Sequence, residues 1–179
     1  MDKDPTLIIL HGGQGAGEAE RLMAEAKIAV ARKNTLYALE AGFSRVIIST
    51  DTPDYFMGLG DNVSVAPNQK KGNVDFQDLV YSLIEGYSIT LPVLMGSGAV
   101  PLLGIQGFKE IIQKFESTAP FVITNNFFSS DLIGWQPIDA FKNIGSVERD
   151  NNLPRLLRDT GNCTPIVLSK SISTQFDLD

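Results

Sequence analysis

A glycine-rich segment near the N-terminus is the stretch of this chain best suited to binding a phosphate. The sequence LIILHGGQGAG, residues 7 to 17, joins a short apolar run to four glycines within six positions. Glycine lets a backbone approach a ligand closely, so we expect this loop to bind a phosphate or a nucleobase through its amides. His11, the single histidine of the chain, precedes the loop, where an imidazole is suited to stacking on a base or to acid chemistry. A turn that uses its glycines only for backbone geometry is the alternative.

Two known glycine motifs fit this loop only in part. A P-loop requires Lys and then Ser or Thr after its second glycine, but Glu18 and Ala19 follow Gly17. The dinucleotide fingerprint requires a third glycine where this chain has Glu18, whose side chain would hold helix and strand apart. The sequence therefore excludes a P-loop and leaves a Rossmann-type dinucleotide-binding oxidoreductase as a weaker alternative.

Other polar residues follow apolar runs further along the chain. Residues 125 to 131, NNFFSSD, contain two amides and a carboxylate and form a candidate acceptor-binding or metal-binding loop. Ser97 lies between two glycines, where backbone amides and a hydroxyl are suited to an anion. Asp51 either binds a ribose hydroxyl or caps a turn, the commoner case. We assign no chemistry to Cys163, because no basic residue lies beside it in the sequence.

The elements that must position these residues alternate between short apolar runs and helical segments, which is typical of α/β proteins. We predict strands at residues 6–10, 45–49, 63–66, 91–95, 120–124 and 165–168. At residues 125–131, the alternative to the acceptor-binding or metal-binding loop is an Asn-rich turn that leads to an antiparallel strand at residues 132–135. We predict helices at residues 18–41, 75–86, 106–116, 137–142 and 152–159, the first of them divided near Asn34 and Thr35. This pattern predicts a three-layer α/β/α, Rossmann-like, mostly parallel sheet in one domain, residues 1–179. Ligands of such sheets bind beyond the carboxyl ends of the strands.

Composition and charge exclude several classes of function. The 179 residues have a net charge of −6 and no long run of Lys or Arg, which argues against a nucleic-acid partner. No apolar stretch is long enough to span a membrane. One cysteine and the lack of a signal-peptide pattern predict a cytoplasmic protein. The sequence leaves the oligomeric state open.

Four segments in order resemble motifs of the nucleotidyltransferases of the glycosyltransferase-A type. They are LIILHGGQGAG, ALEAGFSRVIISTD, PLLGIQGFKEII and FDLD. Among these enzymes, the molybdenum-cofactor guanylyltransferases and the sugar-phosphate nucleotidyltransferases are the most similar, and the resemblance covers nearly the whole chain. It implies transfer of a nucleotidyl group from a nucleoside triphosphate to a phosphorylated acceptor with the help of Mg²⁺. A catalytically reduced homologue that only binds a nucleotide, a nucleotide sugar or a sugar phosphate is the alternative.

Together with the resemblance, the residues predict the composition of the site. The predicted nucleotide contacts lie at the ends of three strands or in the loops that follow them: Leu10, His11, Gly12, Gly13, Gly15, Gly72, Asn73 and Ser97. The predicted catalytic residues are Lys27, as the cation, and Asp131. The predicted acceptor contacts are Asn125 and Asn126, and the predicted Mg²⁺ ligands are Asp131, Asp177 and Asp179.

Two departures from the family pattern remove charge from the predicted site. Gly17 stands where the family has a loop arginine, and Arg21 and Lys27 are the nearest basic replacements. Ala99 stands where the family has a metal-binding aspartate. We therefore expect the protein to bind nucleotide but to transfer it slowly. Because FDLD matches only the beginning of a family segment, we also expect the natural chain to continue beyond residue 179.

Overall fold

The computed structural model describes residues 5–12, 17–67, 75–147 and 150–178, which form one sheet with helices on both faces. The strands are β1 Thr6–His11, β2 Arg45–Thr50, β3 Val63–Pro67, β4 Pro92–Gly96, β5 Phe121–Thr124, β6 Leu132–Gln136 and β7 Thr164–Val167. The helices are α1 Glu18–Ala41, α2 Phe76–Gly86, α3 Gly104–Lys114, α4 Ala140–Asn143, α5 Leu153–Asp159 and α6 Ile172–Gln175. Two 3-10 helices span Pro53–Phe56 and Asp150–Asn152.

The seven strands are arranged in the order β3-β2-β1-β4-β6-β5-β7. Strands β1, β2, β3 and β4 are parallel, β5 is parallel to β7, and β6 is antiparallel to both of its neighbours. All strands except β6 therefore end at the same side of the sheet, which we call the carboxyl edge. The mostly parallel α/β fold is confirmed, and the structure contains the antiparallel strand that was one of two alternatives for this region.

Two apolar cores cover the two faces of the sheet. Neighbouring residues of a strand point to opposite faces, so Leu7 and Ile9 of β1 join a cluster with α1 and α3, whereas Ile8 joins a cluster with α2 and α5. All three side chains are fully buried, and each such burial stabilises the fold by about 1.5–3 kcal/mol. The three-layer arrangement predicted from the sequence is confirmed.

Helix α1 is continuous, and the predicted division near Asn34 and Thr35 is wrong. Both side chains are fully buried but bonded to carbonyl oxygens. Thr35 Oγ1 donates to Ala31 O at 2.8 Å, and Asn34 Nδ2 donates to Ala99 O at 3.0 Å. The helix ends before Gly42, whose φ of 114° lies in the left-handed region that glycine favours.

Three helical elements differ from the sequence prediction. Helix α3 begins and ends two residues earlier than predicted, and α4 begins at Ala140 rather than at residue 137. The short helix α6 was not predicted. A hydrogen bond from Asn125 to the carbonyl oxygen of Thr174 holds this helix beside the carboxyl edge. Within the residues described here, no helix is both long enough and apolar enough to cross a membrane.

Candidate functional site

Backbone hydrogen bonds hold the predicted site residues of β1, β4 and β6 side by side at the carboxyl edge. The Ser97 amide donates to Leu10 O at 3.0 Å, and the Gly96 amide donates to Asp131 O at 3.4 Å. A pocket of about 140 Å³ opens at this junction. Its lining comes from the strand ends and from the start of α2: Leu10, Phe76, Leu94, Met95, Gly96, Ser130, Asp131 and Ile133.

His11, at the end of β1, is buried against the turn that follows β4. Its Nδ1 lies 3.0 Å from Ser97 Oγ, and its ring meets Phe56 edge to face with centroids 5.2 Å apart. Nε2 is buried and lacks a hydrogen-bond partner in the part of the chain that the structure describes. Burial lowers the pKa of His11 below its ordinary value of 6.5, Asp51 raises that pKa, and Lys27 lowers it further. The imidazole is therefore neutral at pH 7.

The Lys27 side chain reaches from α1 to the same turn. A Cβ added at Gly98 would lie 3.2 Å from Lys27 Cγ and 3.2 Å from Leu178 Cβ. The Leu178 amide donates to Gly98 O at 3.3 Å. The predicted catalytic cation, the turn after β4 and the C-terminal segment that carries Asp177 thus meet at one point, which sequence order alone does not reveal.

Asn125 holds Asp131 in place. Its Nδ2 donates to Asp131 Oδ2 at 2.7 Å and to Thr174 O at 3.1 Å, and its Oδ1 accepts from the amides of Asp131 and Leu132. The residue is 2% exposed, and both amide hydrogens are used within the protein. These bonds position the Asp131 side chain, and the acceptor contact of Asn125 stays a prediction. The partly exposed Asn126 stays a predicted acceptor contact.

Asp131 and Asp177 are the predicted Mg²⁺ ligands that the structure describes. Among the described residues, no group of three or more His, Cys, Asp or Glu side chains is arranged to hold a metal ion. Mg²⁺ usually needs only one or two protein carboxylates, because water and substrate phosphates complete its six ligands. Asn125 connects Asp131 to α6, and Asp177 follows that helix two residues later. This donor set fits a site that uses substrate phosphates and does not fit an all-protein metal cage.

Ala99 points away from the carboxyl edge. It is 4% exposed and belongs to the apolar cluster beneath α1 and α3. An aspartate at this position would place a carboxylate in that core, where an unpaired charge is strongly disfavoured. The expectation that residue 99 marks the place of a metal-binding carboxylate is therefore corrected. Ser97 is the residue of this turn whose side chain contacts His11 at the edge.

Several predicted contacts fall outside the described residues. They are Gly13, Gly15, Gly72 and Asn73, together with the predicted metal ligand Asp179. Of the glycine loop, Gly12 and Gly17 are described, and the Gly17 amide donates to Glu20 Oε2 at 2.7 Å. Arg21, one possible replacement for the loop arginine, is exposed on α1.

Two aromatic residues of the site were not singled out from the sequence. Phe56 packs on His11, and Phe76 lines the pocket beside Leu10. Phe76 is the first residue of α2, directly after Asp75, whose side chain accepts from two amides of that helix. The Asp75 capping signal was readable in the sequence, but the approach of α2 to β1 was not.

Comparisons with known proteins support the fold. The sequence matches no protein-family model and no curated protein. A provisionally assigned nucleotide-diphospho-sugar transferase from Desulfovibrio desulfuricans G20 superposes with a TM-score of 0.62 at 16% identity, over 94% of this chain and 80% of its own. A cytidylyltransferase from Leptospira borgpetersenii serovar Hardjo-bovis gives 0.60 at 14% identity, over 93% and 76%.

A third similar structure was solved with a nucleotide. CMP:2-keto-3-deoxy-manno-octonic acid synthetase, in complex with CTP, gives a TM-score of 0.57 at 11% identity, over 92% of this chain and 90% of its own. The chain therefore has the α/β fold of the nucleotidyltransferases, as its sequence motifs predicted. At these identities the likeness concerns the fold alone.

Proposed function

We propose that this protein binds a nucleoside triphosphate at the carboxyl edge of its sheet and transfers the nucleotidyl group slowly to a phosphorylated acceptor. The observation that supports this most directly is the junction at Gly98, where Lys27 meets the turn after β4 and the C-terminal segment. At this junction a cation lies beside strand ends that carry a hydroxyl and an imidazole. Solved transferases with the same fold support the same class of ligand.

The nucleotide would lie across the ends of β1 and β4. The pocket beside Leu10 and Phe76 suits the base, because its walls there are apolar. The phosphates would extend toward Gly12 and the Ser97 hydroxyl, within reach of the Lys27 ammonium. This arrangement favours no particular base.

The reaction would proceed by positioning and charge neutralisation. An oxygen of the acceptor phosphate bonds to the α-phosphorus, the bond from the α-phosphorus to the bridging oxygen of the β-phosphate breaks, and pyrophosphate leaves. Lys27 would stabilise the negative charge that develops on the phosphates, and Asn126 would contact the acceptor. Asp131, oriented by Asn125, would hold Mg²⁺ with Asp177. When bound, the ion supplies Lewis-acid neutralisation of the phosphate charge.

We expect slow turnover because two charged groups of this chemistry are missing. Gly17 replaces a loop arginine, and the turn after β4 carries no carboxylate. Each preorganised charged group is worth about 3 kcal/mol, or on the order of a hundredfold in rate. Binding without transfer is the second candidate function, and the lack of a carboxylate in that turn favours it. A dinucleotide oxidoreductase is disfavoured, because β6 interrupts the parallel strand order of that fold.

The test is a paired measurement of binding and turnover. Each of the four common nucleoside triphosphates is titrated calorimetrically, and pyrophosphate release is followed with Mg²⁺ and a panel of sugar phosphates. The variant Lys27→Gln should weaken triphosphate binding about tenfold, the loss of one charge-assisted contact. Lys109→Gln, an exposed lysine on α3, serves as the control with the same change of charge. Equal binding by Lys27→Gln and the wild type would show that the site is elsewhere.

A further inference from the structure

The two ring nitrogens of His11 differ in their hydrogen bonds, and the unpaired one is available to a ligand. Nδ1 is hydrogen-bonded to Ser97 Oγ, and the Phe56 ring packs edge to face against the imidazole. Nε2 is buried without a hydrogen-bond partner in the described part of the chain. Leaving a buried polar atom unpaired costs about 1–3 kcal/mol. Such atoms are rare in folded proteins and call for an explanation. Gly12 follows His11 directly, so the backbone of this residue leads into the loop predicted to bind phosphate.

We infer that His11 is a proton-coupled contact of the phosphate ligand: on binding, the imidazole becomes imidazolium and Nε2–H donates to a phosphate oxygen. This inference rests on the proposed function and adds to it how the site gains a second cation. The proton comes from solvent, and no bond other than N–H is formed. The Ser97 hydroxyl tolerates both states, since it donates to a bare Nδ1 and accepts from a protonated one.

The charged groups around the ring explain why the proton arrives only with the ligand. Asp51, directly after β2, and Lys27, on α1, are the charged groups that act on His11, while its neighbours Ser97 and Phe56 carry no charge. In the free protein, burial and the Lys27 ammonium outweigh Asp51 and keep the ring neutral. A triphosphate brings several negative charges to this place, and an opposite charge within about 4–6 Å favours the protonated ring.

Linkage then gives the sign of the pH dependence. Because the ligand complex has the higher His11 pKa, binding takes up a proton between the two pKa values. The affinity therefore rises as the pH falls through that interval, by at most about tenfold per pH unit for one proton. Above the interval the ring stays neutral in both states, and the affinity no longer depends on it.

The single histidine of the chain makes the test direct. The imidazole C2–H signal is followed by NMR from pH 5 to pH 8, without and with inorganic tripolyphosphate and without divalent metal. We expect the midpoint of the titration to move to higher pH when tripolyphosphate is bound. Calorimetry in two buffers of different ionisation enthalpy should show that the wild type takes up more protons than His11→Gln. This variant serves as the reference because tripolyphosphate itself titrates near neutral pH.

Each outcome decides between the proposals. Bound tripolyphosphate with an unchanged His11 titration would overturn the inference and leave the proposed function standing. Failure of both tripolyphosphate and CTP to bind would contradict the proposed function, and the inference with it. If His11→Gln does not fold, the NMR titration of the wild-type protein decides alone.

Discussion

Replacing Gly98 by alanine adds one methyl group where Lys27 and the C-terminal segment meet the turn after β4. The new carbon would lie 3.2 Å from Lys27 Cγ, 3.2 Å from Leu178 Cβ and 3.3 Å from Leu178 O. These separations are shorter than ordinary carbon contacts of about 3.5–4.0 Å. The neighbours must therefore move by a few tenths of an ångström. The flexible Lys27 side chain moves most easily, and its ammonium moves with it.

The cost of this change should appear in ligand binding and not in stability. Overpacking a core costs about 1–3 kcal/mol, but at Gly98 one of the two neighbours is a flexible lysine. The φ of Gly98 is not positive, so alanine is unstrained there and stabilises the fold by about 0.4–1 kcal/mol through the unfolded chain. We expect a net change of stability below about 1 kcal/mol. Misplacing a charge-assisted contact worth about 1.5–3 kcal/mol should weaken triphosphate binding by three- to tenfold, or about 0.7–1.4 kcal/mol.

The matched control is Gly86→Ala, at the last residue of α2 and at the end of that helix opposite Phe76. Its added methyl group would have no atom within 4 Å among the described residues, and its φ is likewise not positive. Calorimetric titration with CTP and with tripolyphosphate, together with urea unfolding, should separate the two variants. If Gly98→Ala binds as tightly as Gly86→Ala, Lys27 does not contact the phosphates and the proposed catalytic role of this residue is refuted.

Three further predictions concern stability and can be measured by urea unfolding. Ala99→Asp should lower the free energy of unfolding by about 3 kcal/mol or more without any gain in pyrophosphate release, because its carboxylate enters the core. A rise in turnover would show that residue 99 serves the site. Asn125→Asp should lower the free energy of unfolding by about 2–4 kcal/mol, since a carboxylate would face Asp131 and leave Thr174 O without a donor. The control Asn126→Asp, at a partly exposed residue, should lower it far less. The lowered pKa of His11 predicts stability that is complete above pH 6.5 and is lost as the pH falls through the folded value; an equal acid loss in His11→Gln would contradict it.

The order of elements could be predicted from the sequence because each strand is a short apolar run bounded by turn residues. The antiparallel β6 was one of two alternatives for its region, suggested by an Asn-rich turn ahead of a second apolar run. The continuity of α1 could not be predicted in the same way. Asn34 and Thr35 are polar residues in a helix interior, and only Ala99, 65 residues away, shows why Asn34 can be buried there.

The candidate site could be located from the sequence, but the roles of its residues could not all be assigned. The rule that ligands bind beyond strand ends placed His11 and Ser97 on the same edge, and the structure joins their side chains. The role of Asn125 depends on Thr174, 49 residues later, in a helix that was not predicted. Side-chain direction was the second obstacle, because counting from a motif cannot tell that Ala99 faces the core.

The first turn of α1 explains how a glycine loop followed by acids remains compatible with a polyanionic ligand. A helix N-terminus normally attracts phosphate through its free amides and dipole. Here Glu20 Oε2 accepts a hydrogen bond from the Gly17 amide at 2.7 Å, and Glu18 adds a second carboxylate to the same turn. A phosphate at that place would meet two negative charges. Arg21, exposed on the same turn, offsets only one of these charges, and the next cation along the helix, Lys27, lies at the junction with Gly98. The charges therefore favour phosphate binding at the ends of β1 and β4, beside the neutral His11 imidazole and the Ser97 hydroxyl. They disfavour phosphate binding at the start of the helix.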